Sequence, residues 1–456
     1  MAAPRFVVIG GVAAGMSAAS RAKRNMPDME VTVLEKGSFV SYGACGLPYY
    51  VADLVKDVKG LVVYEASFFR EKRGIDVRIK HEAVRIDTAK KLVITKDLEK
   101  DVEIELPWDT LAICTGAAAR IPPLQGRDSA NVFVLKTAMD GIAIKDFIQK
   151  KKPRRAAIIG AGFIGLEAAD AFSAHGMEVT VIKRPGSILK MFDEDMVELV
   201  EKELDNRGVR LIRDADIKSI ETGDDGMARR VVLADQSVEA DMILFATGVK
   251  PASDLAREAG LKLDEFGAIE VDSSMRTSHP DIFAAGDCVA QKHLITGKNV
   301  YVPRGTTANK QGRVAGDNAS GGRSVFEGIA GTGICKIFDL TVALTGLSEQ
   351  QAKKEGFDVL ATAISHGSHA HTYPNPEPEP ITIKLVTDRK SHRLLGGQMI
   401  GRLGVGKRID ILVAAIQSGM TVEQLSNLDL SYAPPYAPVW DAVLVAANVA
   451  KGKLSK

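Results

Sequence analysis

A chain of 456 residues has room for two to four domains, each with its own core. Its 59 basic and 58 acidic residues leave a net charge of +1, which argues against the footprint of a nucleic-acid binder. Apolar residues make up 45% without a run of membrane-spanning length. Four cysteines (Cys45, Cys114, Cys288, Cys335) lack any CxxC spacing, so neither a zinc site nor a secreted disulfide framework is expected.

Arg5–Ile9 reads as a buried strand, Gly10-Gly11-Val12-Ala13-Ala14-Gly15 as a turn, and the following small residues as a helix through Arg24. A second strand, Val31–Leu34, ends at Glu35. This is the strand–loop–helix–strand–acid order of a dinucleotide site. Backbone N–H groups of the loop reach a pyrophosphate, and the acid accepts from ribose hydroxyls. Val12 stands where the second glycine usually is. The same glycines speak against reading Phe6–Ala19 as a signal peptide, and a cytoplasmic protein is expected.

Next comes Ser41-Tyr42-Gly43-Ala44-Cys45-Gly46-Leu47-Pro48-Tyr49. Pro48 suits the first turn of a helix, predicted over Leu47–Val55. A cysteine at a helix N-terminus faces unpaired N–H groups, which favour its thiolate. On these nine residues alone, a structural cysteine and a reactive one both stand.

Ala66–Gly74 suggests a helix and Val77–Ile79 a strand. Leu92–Thr95 and Val102–Leu106 can pair as a hairpin. Leu111–Ala117 is an apolar strand running into Thr115-Gly116, with Cys114 as core packing.

A second copy of the nucleotide pattern follows. Ala156–Ile159 is a strand, Gly160-Ala161-Gly162-Phe163-Ile164-Gly165 a complete GxGxxG, and Leu166–His175 a helix. The strand Glu178–Ile182 ends at Lys183-Arg184 instead of an acid. That pair reads either as a solvated strand end or as a binder of a 2′-phosphate, hence NADPH over NADH. Met242–Phe245, running into Thr247-Gly248, echoes the closing strand of the first copy. Two nucleotide units in one chain suit hydride transfer between nicotinamide and flavin.

Asp281–Cys288 is a buried strand delivering Asp287 to the sheet edge where ligands bind. Ala308–Arg313 begins a helix. From about Phe326 the pattern becomes α+β, with strands at Ile334–Phe338, Val359–Ile364, Ile381–Val386 and Leu394–Ile400, and helices near Gly406–Ser418 and Val439–Ala450. His366, His369 and His371 lack the cysteines or paired acids of a metal centre, and no metal is assigned. Tyr432-Ala433-Pro434-Pro435-Tyr436 reads as an extended loop. Its phenols are core, surface or hydrogen-bond donors held over a site.

With these motifs in place, nearly the whole chain resembles the FAD-dependent pyridine nucleotide–disulfide oxidoreductases. It is most similar to their single-cysteine branch of coenzyme A disulfide reductases, NADH-dependent persulfide reductases and water-forming NADH oxidases. Ser41–Tyr49, Ala308–Arg313, Phe338-Asp339-Leu340-Thr341 and Tyr432–Tyr436 carry the likeness. It implies an α/β fold of two Rossmann-like nucleotide-binding domains plus a C-terminal α+β dimerisation domain. The expected divisions are residues 1–118 and 250–325 for FAD, 119–249 for NAD(P)H, and 326–456 for dimerisation.

The resemblance places FAD on Gly10, Gly11, Ala14, Gly15, Glu35 and Lys36, with Ala83, Thr115, Gly116, Asp287 and Ala308. It places NADPH or NADH on Gly160, Gly162, Phe163, Ile164 and Gly165, with Glu167, Lys183, Arg184 and Gly248. Arg21, Arg24 and Ser41 fall where related reductases contact coenzyme A. Cys45 is the implied redox centre, with Tyr432, Tyr373 and Tyr436 reaching it from the partner of a homodimer. Four departures stand out: Tyr42 for Phe, Phe163 for a lid Tyr, Pro303-Arg304-Gly305-Thr306-Thr307 for Pro-Leu-Ala-Gly-Pro, and Ala13 where related peroxidases carry histidine.

The expected activity is NAD(P)H-dependent reduction of coenzyme A disulfide or persulfide at Cys45. Five residues on stands Tyr50, so Cys45 cannot close a CxxxxC disulfide and instead cycles through a mixed disulfide, persulfide or sulfenic acid. Water-forming NAD(P)H oxidation through a cysteine sulfenate is the alternative. A flavoprotein redox sensor or electron carrier is the second.

Overall fold

The computed structural model describes residues 3–186 and 188–455. Two five-stranded parallel sheets dominate. The first runs Ile282–Ala284, Thr110–Ile113, Arg5–Ile9, Glu30–Glu35, Ile75–Ile79 in spatial order. The second runs Arg210–Ile212, Glu178–Ile182, Arg155–Ile159, Met242–Phe245, Val132–Val134. In each, the strand before the glycine loop lies centrally, paired in parallel with the acid or Lys-Arg strand on one side and the closing strand on the other. Phe6–Ile9 and Ala156–Ile159 are buried as unbroken apolar runs, as strands covered on both faces must be.

The duplication goes further than the sequence suggests. Each unit carries a three-stranded antiparallel sheet, His81–Asp87, Leu92–Asp97, Val102–Pro107 in one and Ile217–Thr222, Ala228–Leu233, Ser237–Glu239 in the other. The Leu92 and Val102 strands pair as predicted. The second unit's sheet went unseen because its strands are short and charged, with only Ile220, Ala228, Val231, Leu233 and Val238 turned into a core.

The first sheet draws its last strand, Ile282–Ala284, from beyond the whole second sheet. A two-stranded ladder, Ala117–Ala119 against Val249–Pro251, marks where the chain leaves and returns. The helix Gly305–Ala319 then packs on Ala13–Asn25. Gly312 makes the approach possible, since a side chain there would strike the Ala14 carbonyl.

Beyond this lies a five-stranded antiparallel sheet, Gly333–Ile337, Leu340–Gly346, Leu394–Gly401, Pro380–Asp388, Val359–Gly367, backed by the helices Val405–Gln417 and Ala442–Leu454. Sequence reasoning missed the Leu340–Gly346 strand. Only two residues separate it from its neighbour, with Phe338 at φ 51° making the tight turn.

One boundary needs correction. The predicted helix Leu47–Val55 covers only Leu47–Val51. Asp53 takes a left-handed φ of 62°, which ends it. Two groups from the second unit hold that end. Lys145 Nζ reaches Asp53 Oδ1 at 2.7 Å, the Lys56 carbonyl at 3.0 Å and the Tyr50 carbonyl at 3.3 Å. The His175 Nε2 meets the Val51 carbonyl at 2.6 Å.

Candidate active site

The two glycine loops are built alike. Gly10 and Gly160 take φ of +104° and +115°. A side chain on either would strike a closing-strand carbonyl, that of Cys114 or Ala246. Neither following helix, Ala13–Asn25 or Phe163–Ala174, has a side-chain cap, so its first N–H groups remain for a phosphate. Gly15 and Gly165 give close helix–strand packing, with Ala14 buried beside Gly15. Glu35 accepts from the N–H groups of Gly11 at 2.8 Å and Gly37 at 2.7 Å, which aims its carboxylate at the loop. Lys36 is exposed, 3.9 Å from Glu82, and Ala83 lies on the adjoining antiparallel sheet.

On the far side, Thr115 donates to the Ala252 carbonyl, and Gly116 has open space where a side chain would project. Asp287 is tied at 3.0 Å to Lys136 of the second unit, and its carbonyl accepts from Tyr301 at 2.8 Å. Gln311 and Ala308 are buried on the helix beneath. Gln311 accepts from Gly286 N–H, while its Nε2 is buried with no partner among the described residues. Open glycines, uncapped helix ends and an orphaned buried donor fit two dinucleotides.

In the second unit, Gly162 and Gly248 leave open space, and Ile164 is exposed at the loop. Lys183 Nζ bonds the Arg184 carbonyl at 2.8 Å; burial and Arg184 lower the lysine's pKa. No carboxylate among the described residues forms an ion pair with either, so both charges are available to an anion.

Cys45 lies in the single turn Ala44–Gly46 and is exposed, whereas Cys114, Cys288 and Cys335 are buried. Burial pushes the Cys288 thiol up to about 11 and the other two upward as well. The expectation that a helix terminus favours the Cys45 thiolate is overturned. The surrounding protein, and then the Glu167 carboxylate, push this thiol up; Arg304 and Lys136 oppose them. Gly46 N–H is spent on the Gly43 carbonyl, Leu47 N–H on that of Ala44, and Pro48 has none. Burial is the largest influence on this sulfur, ahead of the fixed charges around it.

Those charges converge from several elements. Glu167, on the helix after the second glycine loop, is pushed by burial up to about 7, with Arg304 pulling against it. Burial raises the Tyr49 phenol to about 12. Arg304 sits over the Phe163 ring, 5.2 Å from its centroid. Sequence reasoning missed Lys136, Tyr301 and Arg304 as site residues. The Pro303–Thr307 departure was the available signal for the last.

Ser41, at φ 50°, links Cys45 to the first loop: its N–H donates to the Gly11 carbonyl and its carbonyl accepts from Val63. Arg21 is ion-paired at 2.7 Å to Asp317, whose carboxyl falls to about 2 through Ser324, Asn25 and Arg21. Arg24 forms no ion pair among the described residues. Burial and the neighbouring Arg73, Arg21 and Arg313 lower its pKa. This concentration of positive charge suits a phosphorylated ligand.

Tyr373, Tyr432 and Tyr436 lie in the C-terminal unit, 42%, 50% and 77% exposed. No described residue hydrogen-bonds their hydroxyls. Buried Arg408 holds the scaffold: it pairs with Asp441 at 2.8 Å and bonds the carbonyls of Ser368 at 2.8 Å and Tyr436 at 3.2 Å. Of the three histidines, His369 is used locally. Its Nε2–H donates to the Tyr373 and Pro376 carbonyls, and its Nδ1 accepts from Ser368.

No helix among the described residues is long and apolar enough to cross a membrane. Comparison with known proteins identifies the family. Residues 4–312 match the pyridine nucleotide-disulphide oxidoreductase family, and residues 332–443 its dimerisation domain. The chain is 39% identical to the NAD(P)H sulfur oxidoreductase (CoA-dependent) of Pyrococcus abyssi, across 98% of each chain. It superposes on the NAD-dependent persulfide reductase of A. fulgidus with a TM-score of 0.95 and 43% identity, over 99% of this chain and 84% of that one. The water-forming NADH oxidase of Lactobacillus brevis gives 0.93 and 28%, over 99% of both. The chain belongs to the pyridine nucleotide-disulphide oxidoreductases and is an FAD- and NAD(P)H-dependent flavoprotein.

Proposed function

We propose that this protein uses NAD(P)H to reduce coenzyme A disulfide or coenzyme A persulfide through Cys45. The observation that carries this reading is a single exposed thiol in a chain whose other three are buried. The likeness to a coenzyme A-dependent sulfur oxidoreductase and to a persulfide reductase supports it.

The Cys45 thiolate attacks the substrate sulfur–sulfur bond. One coenzyme A leaves as its thiolate, and a mixed disulfide forms at Cys45. FAD, when bound, relays the two hydride electrons of NAD(P)H to that disulfide. The Cys45–sulfur bond then breaks, the second thiol leaves with a proton, and Cys45 returns as thiolate. For a persulfide, the same two electrons and two protons yield coenzyme A and hydrogen sulfide. Arg21, Arg24 and Ser41 anchor the coenzyme A. Tyr432 and its neighbours Tyr373 and Tyr436 donate to the leaving thiolate from the other subunit of a homodimer. Residues 1–118 and 250–325 carry FAD, 119–249 the nicotinamide nucleotide, and 326–456 the contact between subunits.

The test is anaerobic steady-state turnover. NAD(P)H oxidation should depend on coenzyme A disulfide or persulfide and release coenzyme A or sulfide in step. Turnover in air alone, four electrons reaching water, would favour the oxidase reading.

The Lys183-Arg184 pair further supports use of NADPH. Replacing Lys183→Glu and Arg184→Ala together should raise the NADPH KM about 10-fold or more, with little change for NADH. A wild type that uses NADH alone would contradict this.

A further inference from the structure

We propose that Lys145 positions the redox turn: with the helix Ala138–Lys151 that carries it, this lysine of the second nucleotide unit fixes where Cys45 stands relative to the flavin of the first. The inference rests on the reading of Cys45 as the redox sulfur. Lys145 acts through the backbone around Leu47–Val51, not on the substrate.

The segment that carries Cys45 cannot hold itself. The helix Leu47–Val51 has 5 residues, far below the roughly 12–15 under which an isolated helix is marginal in water. Its place is set from outside, at two ends. Ahead of it, Ser41 N–H donates to the Gly11 carbonyl at 2.9 Å and ties the segment to the first glycine loop. Behind it, the second unit takes up carbonyls of the helix end. His175 Nε2 meets that of Val51 at 2.6 Å, and Lys145 Nζ donates to that of Tyr50 at 3.3 Å. Cys45 lies between these anchors, so its place follows from both units.

Lys145 is 5% exposed, a setting in which an ammonium is costly unless its three N–H groups are used. They are used: besides the Tyr50 carbonyl, Asp53 Oδ1 accepts at 2.7 Å and the Lys56 carbonyl at 3.0 Å. The ammonium also sits 4.2 Å from the centroid of the Tyr50 ring. Each of these groups belongs to the redox helix or to the loop just beyond it. The lysine's own helix packs there as well. A side chain on Gly141 would come within 3.0 Å of Leu47 and 3.3 Å of Tyr50. The start of the helix is locked by Asp140, which accepts from the N–H groups of Lys136 and Thr137. Lys136 in turn reaches Asp287 of the first unit at 3.0 Å. One capped helix is therefore fastened to Asp287 at its start and to the redox helix along its length. Electrons pass between flavin and sulfur only in a defined geometry, and a misplacement of about 1 Å can cost roughly 100-fold in rate.

The experiment compares the wild-type holoenzyme with Lys145→Met, which keeps the stem and removes the donors. A second variant, Asp53→Asn, removes the carboxylate but tolerates the left-handed turn. Anaerobic stopped flow follows flavin reduction by NAD(P)H and then flavin reoxidation by coenzyme A disulfide. Hydrogen exchange with mass spectrometry follows the backbone. Lys145→Met should slow reoxidation about 10-fold or more, with reduction within about 2-fold of wild type. Amide exchange should rise about 10-fold across Leu47–Val55 and stay at the wild-type level in peptides spanning the Gly10 and Gly160 loops. Asp53→Asn should move both readings the same way and less far, and it decides the question if Lys145→Met does not fold. Reoxidation at the wild-type rate, both half-reactions slowed alike, or exchange rising equally in all these peptides overturns the proposal. A wild type whose reduced flavin is not reoxidised by coenzyme A disulfide would instead sink the coenzyme A reading, and the exchange pattern would still decide whether Lys145 holds the turn.

Discussion

Cys45→Ser should abolish reduction of coenzyme A disulfide or persulfide while NAD(P)H still bleaches the flavin. Serine fits the space, but its hydroxyl forms neither a mixed disulfide nor a persulfide. The buried thiols cannot replace it, because Cys114, Cys288 and Cys335 are all raised in pKa and closed to substrate. Hydride entry uses the loops at Gly10 and Gly160, whose geometry does not involve the sulfur. Stopped-flow flavin absorbance beside steady-state thiol release separates the two half-reactions. The expected loss is at least about 10³-fold in turnover, since covalent catalysis at sulfur is removed, with flavin reduction within a few-fold of wild type. Normal turnover by this variant would leave a flavin-only oxidase or an electron carrier as the better account.

Tyr432→Phe should cost about 10²–10⁴-fold in kcat, the usual worth of a placed proton donor. The ring and the Pro434-Pro435 loop remain, so substrate KM should change little. Its hydroxyl has no hydrogen-bond partner among the described residues, and Arg408 tethers the loop through the Tyr436 carbonyl. On the proposed reading this donor serves a site on another subunit. Mixing inactive Cys45→Ser with weak Tyr432→Phe should therefore restore a fraction of the sites, because one site of each hybrid dimer carries both native residues. Activity no greater than the sum of the separate variants would show that each chain completes its own site.

Much of this architecture was legible because strong local patterns coincide with buried elements. Arg5–Ile9, Glu178–Ile182 and Met242–Phe245 are apolar runs closed by glycine or charge, and they form strands at those residues. Both glycine loops follow from residue types that no other backbone geometry needs in that order. Less legible were elements whose identity depends on distant partners. The strands Ile217–Thr222 and Ala228–Leu233 are one-third charged and become a sheet only by pairing with each other over the Ser237–Glu239 edge.

The same distinction divides the site. Cys45 stands out because glycine and proline frame it. The direction of its thiol's shift was misread because it follows first from burial in the folded chain and then from Glu167, Arg304 and Lys136, which lie 122, 259 and 91 residues away in sequence. Helix-end reasoning is local; the field at this sulfur is not. The Lys145 and His175 contacts to the Leu47–Val51 helix were hidden for the same reason, as both come from the second nucleotide unit.

The central claim is that Cys45 takes up the substrate's sulfur. The direct measurement is peptide mass spectrometry of the holoenzyme, reduced with NAD(P)H, freed of excess reductant, and exposed to coenzyme A disulfide without oxygen. The account predicts one coenzyme A mixed disulfide on Cys45, with Cys114, Cys288 and Cys335 unmodified and the adduct lost when NAD(P)H is added back. No adduct at Cys45, or one that NAD(P)H cannot remove, would contradict it.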